Sequence, residues 1–154
     1  MRVEHANETD IQSVVEMNNR FAPAGLTLAR SESFAYAHLA DYRVIRSTDG
    51  AVLGCVALDE YSPSVVELIS LAVEPGMQGL GYGKALIAEA ERLARRRGYA
   101  EIFAVSFSDD LFLSCGFERV ALSAYPEKIA RYTALDASEI QVGEKHCFAR
   151  RLAG

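Results

Sequence analysis

The sequence has no apolar run approaching the ~20 residues that cross a bilayer, so a helical membrane protein is excluded. Its first ten residues, MRVEHANETD, lack the apolar middle and small-residue cleavage site of a secretory signal, and the chain is expected to be cytoplasmic. Cysteine is scarce. Cys55, Cys115 and Cys147 are odd in number, far apart and without a C-x-x-C, which suggests neither a disulfide framework nor a zinc site; they read as buried thiols. Positive charge is also in deficit. A formal net charge of -5 argues against a general nucleic-acid binder, whose domain carries a positive field. The basic cluster RLARRR at 92–97 sits just before Gly98, where cations offset the negative end of a helix and Glu91 is placed to pair with Arg95. His5, His38 and His146 fall in separate elements and suggest no shared site. Internal repeats, low-complexity tracts and linkers are missing too. At 154 residues, 50% of them apolar, the chain supports one hydrophobic core, and a single domain over 1–154 is expected.

What is present alternates between strand and helix patterns. RVEHA (2–6) reads as a strand, and Thr9 with Gln12 reads as a capping box opening a helix whose apolar face is Ile11, Val14 and Val15. Ser31 caps a weaker helix near 32–39. DYRVIRS and AVLGCVALDEY form a hairpin whose turn contains Asp49-Gly50, and VVELISLAV (65–73) is a further strand. Residues 81–97 carry the strongest helical period, with Leu86, Ala90, Leu93 and Ala94 on one face. EIFAVSF (101–107) reads as a strand buried on both faces. A short helix near 109–114, a turn at Gly116, a strand in FERVAL and a closing strand in KHCFARRL complete the pattern, while 124–143 is hard to assign. The order β-α-α-β-β-β-α-β-α-β-β is that of an α/β (α+β) fold with a strand-helix-strand crossover at 65–107.

The crossover holds the chemistry. Four glycines fall within residues 76–83, between a strand and the start of the long helix, where free backbone N–H groups and the positive helix end converge. Such a place binds phosphate. An ATP-type loop is excluded because Tyr82 stands where the lysine belongs, and Gly79, Gly81 and Gly83 are spaced G-x-G-x-G, which is not the dinucleotide fingerprint. In the strand before this loop, Glu67 is the only ionisable residue. A period of two puts it on one face with Ile69, Leu71 and Val73. An unpaired buried carboxylate costs several kcal/mol, so Glu67 must face a cleft, find a partner or hold a proton.

QGLGYG at 78–83, directly after SLAVEP, resembles the coenzyme A pyrophosphate loop of the GNAT N-acetyltransferases, Q/R-x-x-G-x-G/A. GLTLARS (25–31), YRVIRSTDGAVLGCVAL (42–58), VELISLAVEPGMQGLGYGKALI (66–87), LFLSCGFERV (111–120) and YPEKI (125–129) look most like the short N-acetylglutamate synthase branch, and the likeness runs to about residue 130. It implies a mixed central sheet flanked by helices, with acetyl-CoA as donor to a small-molecule amine, in the synthase branch the α-amine of L-glutamate for arginine biosynthesis. No metal, nucleic-acid or membrane partner is implied; a homodimer is compatible with it. Acetyl-CoA is expected in a V between 65–73 and 101–107, bound by Leu71, Val73, Gln78, Gly79, Gly81, Gly83, Lys84, Ser108 and Phe112. Glu67 is expected to take a proton from the substrate ammonium and the Leu71 N–H to polarise the thioester carbonyl. Arg30 and Lys128 are expected to bind acceptor carboxylates, with Arg131 or Arg150 as substitutes. Phe112 stands where many GNATs have a tyrosine acid, as is usual in the synthase branch. Two departures from the branch stand out: IARYTALDASEIQVGEKHCFARRL replaces its tryptophan- and cysteine-bearing segment, and arginine feedback through the amino-acid kinase domain of the long synthases is not expected. A GNAT for another amino acid, a polyamine or a protein N-terminus, and a non-catalytic acyl-CoA-binding module, are the alternatives.

Overall fold

A computed structural model describes residues 2–20, 29–133 and 145–152. Seven strands form one mixed sheet: β1 (Val3–His5), β2 (Tyr42–Arg46), β3 (Val52–Glu60), β4 (Val65–Val73), β5 (Glu101–Ser106), β6 (Glu118–Val120) and β7 (His146–Arg151). Their spatial order is β1-β2-β3-β4-β5-β7-β6. Only β4 and β5 run parallel. That pair needs a crossover connection, and the crossover is the helix α3 (Tyr82–Arg96). The remaining helices are α1 (Ile11–Arg20), α2 (Glu32–Ala37), α4 (Asp109–Ser114) and α5 (Pro126–Thr133).

Each sheet face has its own apolar cluster. On one, Leu86, Ile87, Ala90, Leu93 and Ala94 of α3 pack on Val56, Leu58, Val66, Leu68, Ile102 and Ala104, joined by Phe112 and Phe148. On the other, Ile11, Val14 and Met17 of α1 and Ala35 of α2 cover Val44, Cys55, Ala57, Ile69 and Ala72. A third cluster of Phe103, Tyr125, Cys147 and Ala149 lies under the start of α5. Gly54 lets α3 approach β3: a Cβ there would lie 3.0 Å from the Leu86 side chain and 3.3 Å from the Ala72 carbonyl.

Several local expectations change. The cap before α1 is Asn7, not Thr9: its side chain accepts from the Thr9 N–H, and Asp10 reaches back to the Asn7 N–H at 2.8 Å. Asn7 is thus a stronger local acceptor two residues earlier, and Gln12 instead donates along the helix to Glu16. Val15 is only partly buried, and Met17 completes that face. Glu91 pairs with Arg150 on β7 rather than with Arg95, whose guanidinium donates to the Leu152 carbonyl at 2.5 Å. The segment after 124 contains α5, which sequence reading left unassigned; what lies at 134–144 is outside the described residues.

The largest correction concerns β4. Cys55 pairs with Ala72 but Ala57 pairs with Ile69, so Val56 opposes both Ser70 and Leu71. This is a β-bulge, and Ser70 is the only described non-glycine residue with a positive φ, 55°. One extra residue inverts the alternation beyond it. Glu67 therefore shares its face with Ile69, while Leu71 and Val73 turn to the α3 side. Tyr42 Oη lies 3.3 Å from Ser70 Oγ, and the Cys55 thiol donates to the Ser70 carbonyl at 3.2 Å. Burial pushes the Cys55 thiol up to about 12, so it serves as a neutral donor that fixes the bulge.

Candidate active site

Parallel pairing of β4 with β5 stops at Glu67 opposite Phe103, although β4 continues to Val73 and β5 to Ser106. Past that point the two strands open a V. The opening is a cavity of about 710 Å³, lined along one arm by Glu67 to Val73 and along the other by Ala104 to Ser108, with Leu111 and Phe112 of α4 beyond. The bulge at Ser70 stands in the middle of the first arm.

The glycine loop closes one end of this cavity. After β4 the chain makes a short turn at Pro75–Met77, and Gly79 and Gly81 adopt φ of 81° and 85°. A left-handed backbone strains any other residue there. Gly81 is the N-cap of α3 and has no side-chain cap, so the first N–H groups of the helix and its positive end face open space; nothing lies within 4 Å of a Cβ built on Gly79 or Gly81. At Gly83 a Cβ would sit 3.1 Å from Leu111, so glycine keeps α3 close to α4. Gln78, Gly79, Gly81, Gly83 and Lys84 all line the cavity. The site fits a diphosphate-bearing ligand: bare backbone, a helix N-terminus and one lysine at its mouth.

Glu67 occupies the other end, buried to 4% exposure. It is not alone. Lys128 of α5, itself 3% exposed, places Nζ 2.9 Å from Oε2 and 3.1 Å from Oε1, and the Tyr61 hydroxyl donates to Oε1 at 2.7 Å. Burial and the facing Glu67 carboxylate drive the Tyr61 phenol upward, so it remains a donor. Behind it the Arg131 guanidinium lies 3.7 Å over the Tyr61 ring and pairs with Asp59 at 2.7 Å. The carboxylate thus lines the cavity and is held by two donors, Lys128 from the cavity lining and Tyr61 from outside it, so it both faces a cleft and has partners.

Arg30 and Lys145 complete the charged lining. The Arg30 backbone is held at both its N–H and its carbonyl by the Asn19 side chain, and its guanidinium stacks 4.7 Å from the Phe34 ring. Its Nε is buried and has no hydrogen-bond partner among the described residues. Lys145, which sequence reading missed, directly precedes β7, and its Nζ is 5.6 Å from the Phe107 ring. Burial first, and the Lys128 cation second, lower its ammonium to about 8, with Glu67 opposing. The register explains its position: His146 pairs with Ser106, so Lys145 falls at the tip of β5 where the V is open. Arg150, by contrast, donates to Glu91 and to the Cys115 carbonyl outside the cavity lining, and Arg131 is engaged by Asp59. Leu71, Val73, Ser108 and Phe112 also line the cavity. Among the described residues, no group of three or more His, Cys, Asp or Glu side chains is arranged to hold a metal ion, and no helix is long and apolar enough to cross a membrane.

The family model described as acetyltransferase (GNAT) family matches residues 11–117, more than half of the sequence. The chain is a GNAT-family protein. An uncharacterized N-acetyltransferase of Chlorobaculum tepidum is 27% identical over 129 residues, 84% of this chain and 83% of that protein. The amino-acid acetyltransferase of Ralstonia nicotianae is 29% identical over 120 residues, 77% of this chain but 26% of that longer protein. Among solved structures, N-acetylglutamate synthase from Neisseria gonorrhoeae, complexed with coenzyme A and N-acetyl-glutamate, superposes with a TM-score of 0.84 at 26% identity, covering 99% of this chain and 35% of that one. A Mycobacterium tuberculosis protein in complex with CoA shares the fold at a TM-score of 0.85 and 20% identity over 99% of this chain. This GNAT protein is accordingly an acetyl-CoA-dependent N-acetyltransferase, and its mixed seven-stranded sheet is the acyl-CoA N-acyltransferase fold.

Proposed function

We propose that this N-acetyltransferase acetylates the α-amine of L-glutamate. The observation that carries the reading is charge: three cations, Arg30, Lys128 and Lys145, and one carboxylate, Glu67, line the cavity end away from the glycine loop. That excess of positive charge in a chain of net charge -5 suits a dianionic acceptor. The amino-acid acetyltransferase relatives and the N-acetylglutamate synthase structure support the same substrate class.

In this reading the loop at 78–84 binds the coenzyme diphosphate, and the arm at Leu71 and Val73 aligns the pantetheine by backbone hydrogen bonds. Acetyl-CoA supplies an activated acyl group. Glu67 accepts a proton from the acceptor ammonium, directly or through water, because only the neutral amine attacks the thioester. The Leu71 N–H stabilises charge growing on the carbonyl oxygen. With a thiol pKa of ~8.5, the departing coenzyme thiolate needs no tyrosine at the position of Phe112. Coenzyme A release, measured across amino acids, polyamines and peptide N-termini, tests the assignment. Glutamate is expected to give the highest kcat/KM. No glutamate turnover at millimolar concentration, with turnover of a neutral or cationic amine, would overturn it.

A further inference from the structure

The proposed base is chelated by Lys128 at 2.9 and 3.1 Å, in a place almost free of solvent. A carboxylate so engaged is a poor proton acceptor, and breaking such a pair without compensation leaves two buried charges exposed to each other's loss. The compensation must come from the acceptor. An α-amino acid zwitterion carries an ammonium and a carboxylate on the same carbon, opposite in sign and of matching spacing to the Lys128 and Glu67 groups. Inserted antiparallel to the protein pair, its carboxylate takes Lys128 and its ammonium takes Glu67. One internal ion pair is replaced by two intermolecular ones, and net charge in the cavity does not change.

Resting on the reading of Glu67 as the base, we propose that the Glu67–Lys128 pair is an exchangeable clamp for the α-amino acid zwitterion, so that docking of the acceptor α-carboxylate on Lys128 is what releases Glu67 for proton transfer. Tyr61 stays on Oε1 throughout at 2.7 Å and holds the carboxylate in place while Oε2 changes partner. Glu67 takes one proton from the acceptor ammonium, the freed amine lone pair forms the C–N bond, and the C–S bond breaks with its electron pair leaving on coenzyme sulfur; the second proton, shed by the acylated nitrogen, neutralises that thiolate, and the first passes from Glu67 to solvent. Amines with no adjacent carboxylate, such as polyamines and peptide N-termini, can reach the cavity but leave Glu67 locked. Selectivity for free α-amino acids is therefore written in kcat and not only in KM.

The test compares L-glutamate, its α-carboxamide and its γ-carboxamide as acceptors at saturating acetyl-CoA, with wild-type protein and with Lys128→Met and Lys128→Arg. In the wild type the α-carboxamide is expected to lose kcat at least tenfold, about what one charge-assisted contact is worth, while the γ-carboxamide loses mainly KM. In Lys128→Met the kcat gap between the acid and its α-carboxamide should close to within about threefold, and Lys128→Arg should keep it. Equal kcat for glutamate and its α-carboxamide in the wild type overturns the proposal whether or not the variants fold, as does a gap unchanged in folded Lys128→Met. If glutamate is inert but another α-amino acid shows the same kcat loss on α-amidation, the glutamate assignment falls and the clamp stands. If only polyamines or peptides turn over, the clamp falls.

Discussion

Replacing Glu67 by Gln removes the charge from a group that is 4% exposed and takes away the carboxylate 2.9 Å from the buried Lys128 ammonium. Losing one member of a buried pair costs about 3 kcal/mol or more. For a chain of 154 residues each kcal/mol is about 2–4 °C in Tm, so a drop of roughly 6–12 °C is expected. Adding Lys128→Met removes the facing buried charge as well and fills its volume with an apolar side chain, and most of the lost Tm should return, since replacing a whole buried pair is often neutral. Activity should behave differently. Glu67→Gln is expected to lower kcat by ~10²-fold or more for want of a base, with acetyl-CoA affinity nearly intact, and the double variant should gain nothing back. Differential scanning calorimetry and steady-state kinetics on the same samples separate the two effects. A double variant no more stable than Glu67→Gln would refute the energetic reasoning; wild-type turnover in Glu67→Gln at neutral pH would refute the catalytic one.

Gly81→Glu should leave the fold intact apart from modest backbone strain at φ 85°, because its Cβ meets nothing within 4 Å, yet abolish acetyl-CoA binding by setting a carboxylate at the helix N-terminus; calorimetry showing unchanged affinity would contradict this. Arg30→Ala is expected to raise the KM for glutamate at least tenfold, as a charge-assisted contact worth ~1.5–3 kcal/mol is lost, with little change in kcat. Lys145, lowered to about 8 mainly by burial, is charged below that pH and neutral above it. Binding of an anion favours its protonated form, so inhibition by N-acetylglutamate, which has no amine of its own to titrate, should weaken as pH rises through about 8. In Lys145→Met that dependence should flatten, and a wild-type inhibition constant that does not vary between pH 7 and 9 would exclude Lys145 from acceptor binding.

The geometry of the glycine loop was readable because its physics is local. Glycines at fixed spacing, a strand before them and a helix after them determine where the N–H groups point, and Gly79 and Gly81 do adopt the left-handed backbone that spacing demands. Strand and helix patterns away from caps were readable for the same reason. The charged end of the cavity was not, because its groups meet only in three dimensions. Period-two reasoning put Leu71 and Val73 beside Glu67, and a single extra residue at Ser70 reversed that; its positive φ at a serine has no signature in composition or hydropathy. Lys128 was named for an acceptor carboxylate, and its pairing with Glu67, 61 residues away, follows from the path of α5, which the sequence did not show. Lys145 was within reach: once the closing strand is laid against β5 in register, the residue before it must fall at the open tip of the V.

That closing strand lies between β5 and β6, although both precede it in the chain, and among the described residues β6 has no other strand neighbour. Until β7 inserts, β5 presents an unpaired edge holding Ile102, Phe103 and Ala104, and β6 has nothing to hydrogen-bond to. The strands β1 to β4 with α3 emerge first during synthesis, whereas the far wall of the cleft waits for β7, which follows them all in the chain. A ribosome-bound chain lacking β7 would therefore already own its glycine loop and Glu67 while still exposing a sticky strand edge and lacking Lys145. Insertion of β7 both seals that edge and brings Lys145 to the cavity, tying protection from aggregation and completion of the cavity wall to one folding event.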